Sequence, residues 1–147
     1  MAVHVHAENW PLVLVDMQSP SNEEYARYFE RVDEFLLRRQ PFALVINTLD
    51  SGGTTGQEGR RAQAEYMHRQ ADALSRYLVG IGMVIRSSAV RAVVTSIMWM
   101  QPPPSPVAVF RTEEEATRWA RNQLRESGIV PPVLRTDLRK AADSASF

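Results

Sequence analysis

The chain has no cysteine, and this absence removes a disulfide scaffold, a thiolate zinc site, an iron–sulfur cluster and a cysteine nucleophile together. It has no apolar run approaching the roughly 18 residues that a membrane-spanning helix needs. Residues 1–9 also lack the basic and apolar regions of a secretory signal. Neither sign of charge is in excess: 17 Lys and Arg balance 17 Asp and Glu, for a formal net charge of +0. No global field therefore draws in nucleic acid or an anionic membrane. Lysine is nearly absent as well. Lys140 stands alone and the other basic side chains are arginine, a bias that codon usage in a GC-rich genome explains more simply than guanidinium chemistry. These absences lead us to expect a cytoplasmic protein without cofactor, without a membrane span and without a nucleic-acid partner. What is present is an ordinary interior: 44% apolar residues in 147, too many for a disordered chain and enough for one domain that buries roughly 70% of its unfolded surface.

The apolar residues fall into alternating strand and helix patterns. Leu12 to Val15, closed by Asp16, and Phe42 to Ile46, closed by Asn47, are short continuous runs of the kind buried on both sheet faces. Val3 and Val5 alternate with His4 and His6, which suits an edge strand joined to the first run by a turn at Glu8-Asn9. Ser21 with Glu24 forms a capping box for a helix whose Tyr25, Tyr28, Phe29, Val32, Phe35 and Leu36 draw one stripe. A long helix is expected over 57–79, then a strand over 80–85 with Gly80 and Gly82 marking the turn out of that helix. Ser87 or Ser88 caps a third helix that Pro102-Pro103-Pro104 breaks. Val107 to Phe110 makes a further strand, and Thr112 with Glu115 caps a last helix. Such alternation requires an α/β domain with a mixed, mostly parallel sheet of four to five strands and about four helices. The domain is expected over 1–126, with 127–147 as a surface-lying or disordered tail. Any site should gather at the carboxyl ends of the strands.

Chemistry in the chain is sparse. The segment Asp50-Ser51-Gly52-Gly53-Thr54-Thr55-Gly56 lies between a strand and a helix, where the helix N-terminus favours an anion. Its glycines match neither G-x-x-x-x-G-K nor G-x-G-x-x-G, and Thr55 with Glu58 reads equally as a cap. His4 and His6 share a strand face as a metal pair would, with His68 as the third candidate; incidental histidines on an exposed strand are the simpler reading. No G-x-S-x-G elbow occurs. Arg60, Arg61, Arg69, Arg76, Arg86 and Arg91 are diluted by Glu58, Glu65 and Asp72 and read as a solvated or protein-docking face. In Ile97-Met98-Trp99-Met100, bulky apolar groups point to all sides of a helix end. Ile97, Met98 and one neighbour are expected in the core, and the others, Trp99 and Met100 foremost, form a candidate apolar contact surface.

The order of elements resembles the STAS-like (SpoIIAA-like) domain proteins of bacteria. The residues that carry the resemblance are the strand ending in Asp16, the helix ending at Arg38-Arg39-Gln40-Pro41, the strand Ala43 to Asn47, and Arg60-Arg61 opening a helix. Residues 96–104 and the strand Val107 to Phe110 with its Thr-x-x-Glu helix complete it. The resemblance implies a non-enzymatic regulatory domain that binds a protein, as anti-sigma-factor antagonists do. In the antagonists a serine in an Asp-Ser-Ser-Gly setting is phosphorylated. Here Asp50-Ser51-Gly52-Gly53 occupies the corresponding loop without the second serine, so Ser51 is carried over with Thr54 and Thr55 as substitutes. Arg60 and Arg61 follow as docking or phosphate-facing residues. The expected partner is another, unidentified protein or a second copy of the chain. Related SEC14-like domains bind lipids, so the alternative is an apolar small molecule or lipid held near Trp99 and Met100.

Overall fold

The structure, a computed structural model, describes residues 2–18, 20–48 and 57–128. Among these residues lie five strands, β1 (Ala2–His6), β2 (Leu12–Gln18), β3 (Phe42–Asn47), β4 (Leu78–Val84) and β5 (Val107–Phe110). Five helices accompany them: α1 (Asn22–Leu37), α2 (Gln57–Arg69), α3 (Ala71–Tyr77), α4 (Ser88–Met100) and α5 (Glu113–Glu126). The strands form one sheet in the order β1-β2-β3-β4-β5. β1 runs antiparallel to β2, and the remaining neighbours are parallel. This is the mixed, mostly parallel α/β sheet that the alternation requires.

Period-2 alternation in the strands divides the core in two. Val13, Val15 and Met17 of β2 and Phe42, Leu44 and Ile46 of β3 face one way, against Tyr25, Tyr28, Val32 and Phe35 of α1, Tyr66 of α2 and Leu74 of α3. Leu12, Ala43, Val45 and Val84 face the other way, against Ala116, Ala120 and Leu124 of α5. β3 is buried almost throughout because helices lie on both sides of it. α1 begins at the expected capping box: the Ser21 hydroxyl accepts from the Glu24 amide at 3.2 Å, and the Ser21 amide donates to Glu24 Oε1 at 3.1 Å.

Three boundaries differ from expectation. β2 runs two residues past Asp16 to Gln18, where it still pairs with β1. The long helix is divided at Gln70 (φ −104°, ψ 17°) and stops at Tyr77, because Leu78 leaves the helical region to pair with Phe42. Gly80 and Gly82 accordingly lie inside β4 rather than at a turn, and their lack of a side chain serves α5. A Cβ on Gly82 would lie 3.2 Å from Ala116 Cβ, and one on Gly80 would lie 3.0 Å from the Trp119 ring. The loop at 50–56 and the tail from residue 129 lie outside the described residues.

Candidate functional site

The parallel register aligns Asp16, Asn47, Val84 and Phe110 in one row across β2 to β5. The carboxyl ends of these strands therefore share one rim, as a parallel sheet demands. Beyond the row, Thr48 is buried, and its hydroxyl donates to the Val84 carbonyl at 2.7 Å. Arg91 Nη1 donates to the carbonyls of Ile85 and Arg86 at 2.7 and 2.8 Å. Arg91 thus latches the first turn of α4 to the end of β4 and is not part of an arginine surface. Arg61 stands 3.7 Å from Glu65 on its own helix with both side chains mostly exposed, a pairing that contributes little. Arg69 lies over the Tyr66 ring at 5.6 Å. Ser51, Thr54 and Thr55 lie outside the described residues, as does the side chain of Arg60.

α2 is held to α1 by an aromatic seam. Tyr66 stacks on Phe29 with ring centroids 4.4 Å apart, and its hydroxyl donates to Asp33 Oδ1 at 2.7 Å, beside a second donation from Gln70 Nε2 at 3.1 Å. Burial, reinforced by the bond to Asp33, pushes the Tyr66 phenol well above its ordinary range, and burial does the same to Tyr28. These groups are interior supports. On β1, His4 is exposed, while His6 Nε2 lies 3.2 Å from Asp16 Oδ2 on the neighbouring strand. His68 is exposed in the last turn of α2. Among the described residues no group of three or more His, Asp and Glu side chains gathers as a metal ion would require, and no helix is long and apolar enough to cross a membrane.

The feature that stands apart is α4. Ser87 caps it by accepting from the Val90 amide, and Pro102 to Pro104 follow its end. It packs chiefly against β5 among the strands, on the side of Val107, and it has no buried residue. Val94 and Met98 turn partly inward. Val93, Ile97 and Met100, spaced four and three apart, share an outer stripe, and Trp99 flanks them. Their exposures are 59, 45 and 81%, with Trp99 at 82%. Ile97 therefore lies outside the core and Met98 is only partly buried, both contrary to expectation, because β5 is only four residues long and offers too little sheet to cover them. Between the stripe and Trp99 run the small exposed residues Ala89, Ala92 and Ser96. A crevice of about 540 Å³ separates α4 from β5, lined by Thr95, Met98, Trp99, Pro102, Pro103 and residues 107–109. The sequence does not mark Val93 as exposed: Arg91 is the one charge in residues 88–100 and apolar residues occur on every side, the composition of a buried helix, so only the packing decides which side faces outward.

No family model matches the chain, and no curated protein matches it. Among solved structures it is similar to an uncharacterized protein from the DUF3478 family with a SpoIIAA-like fold, from Shewanella loihica PV-4. The two share 10% identity over 81% of this chain and 92% of that one, with a TM-score of 0.59. At that identity the likeness concerns architecture alone, and with the observed sheet order it shows that this chain has a SpoIIAA-like, STAS-like α/β fold.

Proposed function

We propose that the chain is a non-catalytic, regulatory protein-interaction domain that uses the outer side of α4 as its contact surface. The observation that carries this reading is the exposure of Val93, Ile97, Trp99 and Met100 together on a helix with one charge. Large apolar side chains clustered in one place mark contact surfaces, whereas scattered ones do not. A photo-crosslinking amino acid placed at Ile97 or Met100 of the full chain in its own cells tests the reading, with Arg27 on α1 as the control position. Discrete protein adducts are expected from 97 and 100 and not from 27. Absence of adducts from both α4 positions overturns it.

Regulation is assigned in this reading to Ser51, Thr54 and Thr55. A phosphate adds about −1.5 to −2 charge just ahead of α2, whose sequence carries Arg60 and Arg61 after Gln57-Glu58-Gly59. Intact mass of the chain isolated from its cells, set beside a Ser51/Thr54/Thr55→Ala form, decides the point; no phosphate mass in any growth condition removes the switch.

A second reading places an apolar small molecule or lipid between α4 and β5, where the groove of about 540 Å³ matches the roughly 300–1,000 Å³ of small-molecule sites in size but is open to solvent and lined by polar and apolar surface in near-equal parts. Native mass spectrometry of freshly purified protein separates the two. A co-purifying lipid mass supports the ligand reading, and a bare chain or an assembly of chains supports docking.

A further inference from the structure

We infer that the occupant of the α4 surface is a second copy of this chain, paired α4 against α4 about a two-fold axis. The inference rests on the docking reading above and names its partner. Area is the first argument. With about 150–250 Å² for a large aromatic side chain, taken as an upper bound for Val, Ile and Met, the exposures of Val93, Ile97, Trp99 and Met100 leave at most on the order of 500 Å² of apolar surface on one copy. That lies near the top of the roughly 300–600 Å² found for the largest patch of a monomer. Two facing copies bury at most roughly 1,000 Å² through these residues, below the ~1,200 Å² where standard interfaces begin, so the pairing belongs to the weak, concentration-dependent class.

Shape is the second argument. A two-fold interface requires one surface to carry both a protrusion and the recess that receives it. Trp99 and Met100 protrude at 82 and 81% exposure, and the crevice beside Met98, Pro102 and Pro103 adjoins them. The exposed small residues Ala89, Ala92 and Ser96 lie between the two rows of large ones, so helices can approach closely there. Charge is the third. Arg91, the one charge of α4, donates inward to Ile85 and Arg86, so an α4–α4 contact brings no like charges together and presents no ion pair by which a differently charged partner would be selected.

Sedimentation equilibrium of the purified full chain, from roughly 1 µM to 1 mM so as to bracket an ordinary dimer affinity, tests the inference. The expected species at the upper end has twice the 16.6 kDa chain mass. Trp99→Arg and Ala92→Glu are expected to weaken association by at least ten-fold, as loss of an interface anchor does. Leu37→Glu, at an equally exposed apolar residue (80%) at the end of α1, is expected to change nothing. Both α4 positions are exposed, so a circular-dichroism melt matching the parent at low concentration shows that the variants fold. A chain monomeric throughout the range, or a dimer that both α4 variants leave unchanged, overturns the inference. A monomer that still gives crosslinked adducts to another protein in cells refutes self-pairing and leaves the docking reading standing. A monomer without adducts refutes both.

Discussion

Gly82→Ala is the most informative perturbation of the fold, because the interior offers no slack at that point. A methyl group at Gly82 would sit 3.2 Å from both Ala116 Cβ and the Ala116 carbonyl oxygen, inside the roughly 3.5–4.0 Å at which carbon contacts are most favourable. α5 must retreat by a few tenths of an ångström, yet Ala116, Ala120 and Leu124 are all fully buried and fix it to the sheet. Overpacking of this kind costs about 1–3 kcal/mol, and the reduced freedom of the unfolded chain returns about 0.4–1 kcal/mol. A net loss of about 1–2 kcal/mol follows, or roughly 3–8 °C in melting temperature. Ala116→Gly opens the same space and alone costs about 2 kcal/mol through helix propensity and a lost buried methyl. In the double variant the added methyl occupies the space that Ala116 vacated, so the two changes are expected to couple favourably by about 1 kcal/mol. Urea unfolding of the four proteins at constant slope measures this directly. Additivity to within about 0.3–0.5 kcal/mol, or a Gly82→Ala chain more stable than the parent, refutes the reasoning.

Two further outcomes follow from the seam between α1 and α2 and from the start of α1. Tyr28 and Tyr66 are both pushed above the ordinary phenol value of 10.0 by burial, so the folded chain keeps protons that the unfolded chain releases. Stability is therefore intact below about pH 10 and falls as pH rises above it; Tyr66→Phe is expected to make that fall in urea midpoint shallower, while costing about 1–2 kcal/mol at neutral pH for the bond to Asp33. Ser21→Ala removes the acceptor of the Glu24 amide and is expected to cost about 1 kcal/mol, seen as a fall of a few degrees in a thermal melt.

What could be read from the sequence was whatever local chemistry settles. Ser21 and Glu24 fix the start of α1 through neighbouring atoms alone, and the stripe from Tyr25 to Leu36 needs only a 3.6-residue period to be recognised. Phe42 to Ile46 is legible as a doubly covered strand because no polar residue interrupts it. The division at Gln70 was not legible, since its side chain reaches Asp33, 37 positions away, while Tyr66 and Tyr77 keep a helical spacing through it. Gly80 and Gly82 were misread for a related reason: a glycine after an apolar helical stretch signals a C-terminus locally, and only the approach of α5, from more than 30 residues downstream, gives these two a place inside a strand. At the candidate site the composition of α4 was visible, but its exposure was set by the length of β5 and by the face that α5 takes.

Connection order also explains why the other described elements leave α4 uncovered. Parallel strands added in sequence order by right-handed crossovers place the connecting helices on one face, and the core shared by α1, α2, α3 and Val107 of β5 agrees. α1 to α3 share a core with residues of β2, β3 and β4. α4 comes last, over the terminal strand, and that strand has four residues. α5 does not extend the same layer; it lies on the opposite face over β3 and β4 and cannot shelter α4. A helix in that position gains least from apolar residues, and the chain shows elsewhere how a solvent-facing helix is finished: α2 carries Arg61 and Glu65 outward, and α5 carries Glu114 and Arg118, 3.4 Å apart. α4 has the composition of an interior helix, yet alone among the described helices it buries none of its residues. The same surface chemistry that finishes α2 and α5 was open to it, and its place is taken by Val93, Ile97, Trp99 and Met100, which is the pattern expected of a face that another molecule covers.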